Sequence, residues 1–224
     1  MKIETLKVAR IGVFAALYAA LSLIPISVFI GAPSFLTLNL IITPVIAILL
    51  TPFEAFLSSL FGGTIAFYVA PLQAMFGPFT ILLPVAGSTF GSLAFHQSKK
   101  GGVAAACFLL IAVSSYLVKN FLFPYFVVPH LTATLLALVA TFKKMTPKSL
   151  RAPIFAFVST MCEQGMMMIF AVHLLGLPWQ AFVGILPLMV YERLVGTIGA
   201  TLLAVPLMSI TSKHIMKEKN LNNE

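Results

Sequence analysis

The run Arg10-Ile-Gly-Val-Phe-Ala-Ala-Leu-Tyr-Ala-Ala-Leu-Ser22 carries no charge after its first residue. At helical spacing, Gly12, Ala15, Ala16, Ala19, Ala20 and Ser22 supply small side chains, with Phe14, Leu17 and Leu21 as bulk between them. In lipid a small-residue stripe lets a second helix approach closely, whereas in water the same stripe is ordinary core packing. The solvent decides the reading, and composition decides the solvent. Hydrophobic residues make up 60% of the chain, charged residues 9%, and the mean hydropathy is +1.04, against about 25% charged residues in soluble domains. The chain reads as one integral membrane domain over 1–224, without room for a separate soluble domain.

With about 20 apolar residues per crossing, about eight hydrophobic segments are expected, at 7–24, 36–50, 53–70, 78–96, 102–122, 129–143, 152–175 and 183–212. The second and sixth are short, which suits a sheltered or re-entrant segment. The first is read as a retained helix, not a cleaved signal peptide, since no convincing cleavage site precedes the next segment. With the N-terminus inside and eight crossings, twelve of the fourteen basic residues fall on the inner side, leaving only Lys119 and Arg193 elsewhere. The positive-inside rule therefore places both termini in the cytoplasm. The net charge of +8 follows this topology, with its basic residues at the ends of apolar runs, and does not mark a nucleic-acid surface.

Residues 25–35 form the longest early outer connection, and Thr51-Pro52 an inner turn, with Glu54 as a cap. Trp179, Tyr125 and Tyr116 suit an interfacial belt. His96 and His214 fall at the inner edge, where water is their expected partner. Pro44, Pro84, Pro187 and Pro206 lie within spans, where they kink helices or free backbone carbonyls. Cys107 and Cys162 sit in apolar runs, as small buried hydrophobes rather than a disulfide or metal pair.

An ionisable side chain at the centre of a membrane helix costs about 2.5–3.5 kcal/mol on insertion scales, so each needs a reason to be there. Glu163 and Gln164 fall in the seventh segment, and Tyr191, Glu192 and Arg193 in the outer half of the eighth. Lys119 and Asn120 end the fifth, His130 opens the sixth, and Thr37 and Asn39 open the second. On the expected topology these gather in the outer half of the membrane. They form either a polar pocket open to the outside or a set of helix-pairing contacts, with Glu192 and Arg193 paired to Lys119 or Glu163. The expected pocket members are Asn39, Lys119, Asn120, His130, Glu163, Gln164, Tyr191, Glu192 and Arg193, the cations suiting an anionic group and the carboxylates a donor-rich ring.

There is no Gly-x-x-x-x-Gly-Lys-Ser/Thr loop and no aspartate, so neither that device for ATP nor a Ser/His/Asp triad is present. No cofactor and no metal are expected, since clustered His and Cys ligands are lacking. An intramembrane hydrolase would need Glu163, His173 and Glu192 to converge. A secondary carrier would use Glu163 as its relay, and a structural subunit would use the charges as glue.

Segments one to four carry a family likeness. Ala15-x-x-x-Ala19 and Ala16-x-x-x-Ala20, the run Leu38–Gly63 and the run Phe76–Gly91 resemble, in that order, the early helices of the substrate-binding S components of energy-coupling-factor (ECF) vitamin transporters. The likeness covers roughly residues 1–100. It implies a six-helix core, so that one of the hairpins 102–143 and 152–212 is an addition; Ile185–Arg193 through Pro206 resembles the closing helix of the family. The resemblance further implies a non-enzymatic chain that captures a vitamin or related small molecule outside. Its partners would be a membrane coupling subunit and an ATPase pair, docked through Gly12, Ala15, Ala16, Ala19 and Ala20.

Overall fold

A computed structural model of the chain describes residues 2–28, 35–96, 98–143 and 148–221. Its axis is the seventh apolar segment, helix α7 (Lys148–His173), 67% of whose membrane window is buried, the largest share of any span. Around it pack α2 (Asn39–Leu49), α4 (Leu82–His96), α5 (Ser98–Asn120), α6 (Val128–Phe142) and α8 (Trp179–Leu221). Helix α1 (Lys2–Leu21) lies at the periphery, mainly against α3 (Pro52–Val69). Six of these helices, some with a leading 3-10 turn, are long and apolar enough to cross a membrane: 52–69, 77–96, 99–120, 124–142, 149–173 and 179–210. The protein is thus an all-α, multi-pass membrane protein.

Two of the eight expected crossings differ. Helix α1 is 20 residues long but spends its first half on Lys2, Glu4, Lys7 and Arg10, so only its second half is apolar. Helix α2 has 11 residues, about 16 Å at 1.5 Å per residue, against a hydrocarbon core of about 30 Å. It is stable there because α4, α7 and α8 surround it and Leu40 and Ile42–Ile48 are buried. The sixth segment reaches full length because a 3-10 turn, Pro124–Val127, extends α6. The expected outer loop after α1 is in part an antiparallel ribbon, β1 (Pro25–Val28) with β2 (Phe35–Thr37); residues 29–34 lie outside the described residues.

Small residues on α4 set the packing distance. A Cβ added to Gly91 would lie 2.6 Å from Ser159 Cβ of α7 and 2.9 Å from Ala47 Cβ of α2, and one on Gly87 2.8 Å from Thr43 Cγ2. Hydroxyls between the glycines satisfy themselves on carbonyls: Ser92 Oγ donates to Leu50 O at 2.6 Å, Ser88 Oγ to Pro84 O at 2.7 Å, and Ser159 Oγ to Gly87 O at 2.9 Å. Without a hydrophobic drive between helices in lipid, close contact and such bonds carry the association.

At the opposite end from the ribbon, Glu54 is a cap as expected: Oε2 accepts from Thr51 N at 3.0 Å and Thr51 Oγ1 at 2.8 Å. His96 departs from its expected exposure to water alone, since Nε2 lies 3.1 Å from Ile48 O; the His214 side chain lies outside the described residues. Arg151 donates to Phe95 O at 3.1 Å, its guanidinium 5.2 Å from the Phe155 ring centre, and so ties α7 to the end of α4. Tyr116 is not an interfacial residue: it is fully buried, donates to Phe123 O at 2.9 Å and packs against Phe126 and Phe182.

The first-helix stripe divides in two. Ala15 and Ala19 are buried, and a Cβ on Gly62 of α3 would lie 2.9 Å from Ala15 O. Gly12, Ala16 and Ala20, one helical turn apart, are exposed. The phase is set by Tyr18, which is buried on the same side as Ala15 and Ala19.

Candidate functional site

The second helix begins with a polar clamp. Asn39 Nδ2 donates to Ser22 Oγ at 2.9 Å and to Tyr18 Oη at 3.2 Å, while its Oδ1 accepts from Thr37 Oγ1 at 2.7 Å. This ties the end of α1 to the start of α2. Replacing Asn39 by leucine removes all three bonds and is expected to cost about 1–3 kcal/mol, read as a lower thermal midpoint in detergent.

Beside the clamp is a small pocket of about 90 Å³, mostly apolar but carrying the charged residues of the site. Tyr18, Thr37 and Asn39 line one side, and Glu163, Glu192 and Arg193 the other. Arg193 Nη1 lies 3.8 Å from Glu163 Oε2 and donates to Thr160 O at 3.3 Å, and the arginine side chain is 2% exposed. Successive residues of a helix turn by about 100°, which explains why Tyr191 faces outward, 57% exposed, while Glu192 and Arg193 face inward. Thr43, Gly87 and Glu163 converge behind the pair.

A second, larger chamber of about 490 Å³ adjoins the first, sharing Met75, Phe76, Met167 and Glu192 as walls. Among the described residues its lining is apolar except for Gln164 and Glu192. Tyr116, Phe126 and Phe182 form an aromatic cluster at its back, with ring centres 4.8–5.4 Å apart. The volume falls within the roughly 300–1,000 Å³ of small-molecule sites, which are mostly apolar with a few placed polar groups.

Of the nine residues expected to form a pocket, the structure brings together Asn39, Glu163, Gln164, Glu192 and Arg193 along these two spaces. Lys119 and Tyr191 are exposed and line neither. Asn120 and His130 are buried and line neither, His130 with its ring 6.0 Å from that of Phe126. His173 does not meet Glu163 and Glu192: it is exposed and its Nε2 lies 2.7 Å from Ser115 Oγ. Among the described residues no three His, Cys, Asp or Glu side chains cluster as metal ligands.

Sequence reasoning missed Tyr18 and the methionine walls Met75, Met167, Met168 and Met189. The run Gln164-Gly-Met-Met-Met168 was their available signal, since unbranched, polarisable thioethers fit irregular and adaptable binding surfaces. Fold and site together define a multi-pass helical membrane protein with a two-part cavity, a small part that carries the charged residues and a larger methionine-walled one. Comparison with protein-family models, curated proteins and solved structures gives no match.

Proposed function

We propose that the chain is the solute-capture subunit of an ECF-type importer, taking a vitamin-like small molecule from the outer side and passing it to an ATPase-driven coupling complex. The observation that carries this reading is the two-part cavity, large enough for a small molecule and provided with buried charged groups. Distribution of basic residues supports cytoplasmic termini, which puts the cavity at the outer end. The exposed turn-spaced residues Gly12, Ala16 and Ala20 suit docking by a helix of the coupling subunit, and the absence of a phosphate-binding loop from the sequence suits a division of labour with separate ATPases.

The test is uptake by proteoliposomes with and without the coupling subunit and its ATPases. Ala16→Trp is expected to keep solute binding and abolish module-dependent uptake. Ala15 and Ala19 are unsuitable for this purpose, because both are buried, Ala15 directly against Gly62 of α3. A secondary carrier is the second reading, favoured by the buried Glu163–Arg193 pair, where a carboxylate exchanging a proton for its arginine partner would form a relay. Proton-driven uptake by the chain alone would decide for that reading and against the first.

A further inference from the structure

We infer that the methionine-walled chamber selects an amphiphilic ammonium compound, an apolar or aromatic body bearing one protonated amine, held by Gln164 and Glu192. The inference rests on the solute-capture reading and names the chemical class of its solute.

Polarity of the lining carries the argument. Among the described residues, Gln164 and Glu192 are the only polar side chains that line the large chamber, and they are 3% and 6% exposed. Each carries an oxygen, Gln164 Oε1 and Glu192 Oε1, that is buried and meets no hydrogen-bond partner within the protein. A buried acceptor left unpaired costs about 1–3 kcal/mol, more if charged, so a ligand whose N–H donors reach these oxygens recovers that cost. An anionic ligand would instead meet the Glu192 carboxylate.

Charge distribution points the same way. The joined spaces hold two carboxylates, Glu163 and Glu192, and one guanidinium, Arg193. Arg193 is engaged by Glu163 and by the Thr160 carbonyl, and it does not line the large chamber. Two carboxylates thus accompany one guanidinium, and the one that has no salt bridge to it, Glu192, stands on the wall common to both spaces. The rest of the chamber, Met168, Met189 and Phe182 among it, fits a flat or flexible apolar body. Methionine sulfur packs well on aromatic edges, and aromatic faces attract a cation.

The full-length chain in dodecyl maltoside micelles, free of added lipid, is titrated with three probes of one skeleton: phenylbutylamine, phenylbutanol and phenylbutyrate. The amine is expected to bind saturably and at least roughly tenfold more tightly than the acid, with the alcohol between them. Glu192→Gln is expected to remove most of the preference for the amine, and Glu192→Asp to keep part of it, with both variants melting cooperatively. If Glu192→Gln fails to fold, Gln164→Leu serves instead, with weaker amine binding as the expected result. Equal or tighter binding of the acid, an amine preference unchanged in a folded Glu192→Gln variant, or no saturable binding of the amine overturns the inference.

Two further arms separate this inference from the function it rests on. A co-purified anionic solute identified by mass spectrometry would overturn the ammonium class and leave solute capture standing. Displacement of phenylbutylamine by phosphatidylethanolamine but by no water-soluble amine would support the ammonium class and overturn solute capture, assigning the site to a lipid amine.

Discussion

Arg193→Met is expected to destabilise the protein by about 3–5 kcal/mol, the cost of leaving a buried partner charge uncompensated. Arg193 is enclosed, and its guanidinium faces the Glu163 carboxylate at 3.8 Å. Removing it strands Glu163, which is 8% exposed, in an apolar setting, and also leaves the Thr160 carbonyl without this donor. The double variant Glu163→Gln, Arg193→Met removes both charges while keeping similar volume. It is expected to recover most of the loss, because replacing a whole buried pair is far less costly than breaking it. Thermal unfolding in detergent of the wild type, both single variants and the double variant gives the coupling directly. Additive losses would show that the two side chains do not act as a pair.

Gly91→Leu is expected to prevent α4, α2 and α7 from closing, at or above the ~3 kcal/mol upper end of overpacking costs. Even a Cβ would stand 2.6 Å from Ser159 Cβ and 2.9 Å from Ala47 Cβ, and neither neighbour is a flexible side chain that could move aside. Because α2 and α7 carry Asn39 and Glu163, displacement at Gly91 reaches the cavity, so solute binding falls with stability. Gly12→Leu is the matched control. A Cβ there meets nothing within 4 Å, and its effect on stability is expected to stay within about 0.5 kcal/mol. Protease resistance and thermal midpoint of the two variants separate them, and equal tolerance at both positions would contradict the packing described for α4.

Much of the helix plan was legible because hydrophobic runs in a membrane chain are long and sharply bounded. Segment seven, expected at 152–175, is α7 at Lys148–His173, and segment three, expected at 53–70, is α3 at Pro52–Val69. The first two crossings were overestimated, since α1 ends at Leu21 and carries its charges in its first half, leaving a short apolar half, and since an apolar run as short as α2 needs shelter from its neighbours. Phase around a helix was harder to read. Gly12, Ala16 and Ala20 are as small as Ala15 and Ala19, so only contact with α3 and the burial of Tyr18 distinguish the covered side from the open one.

The charged part of the site was legible because buried ionisable residues are expensive and few. Glu163, Glu192 and Arg193 do line one pocket. Lys119 and Tyr191 misled for opposite reasons: Lys119 sits at a helix end where a long side chain reaches outward, and Tyr191 is one residue from the inward face. The methionine walls were hidden by chemistry that composition treats as plain hydrophobicity. Their meaning depends on Gln164 and Glu192 opening into the same space, which helix packing alone creates.

The central claim is that this membrane protein binds one small molecule in the two-part cavity. Native mass spectrometry of the full-length chain released from micelles tests it most directly. The account predicts a one-to-one small-molecule adduct on the wild type that is lost in the Arg193→Met and Gly91→Leu variants. A wild-type chain that carries only lipid or detergent, and takes up neither a water-soluble vitamin nor an amphiphilic amine when these are added, would contradict it.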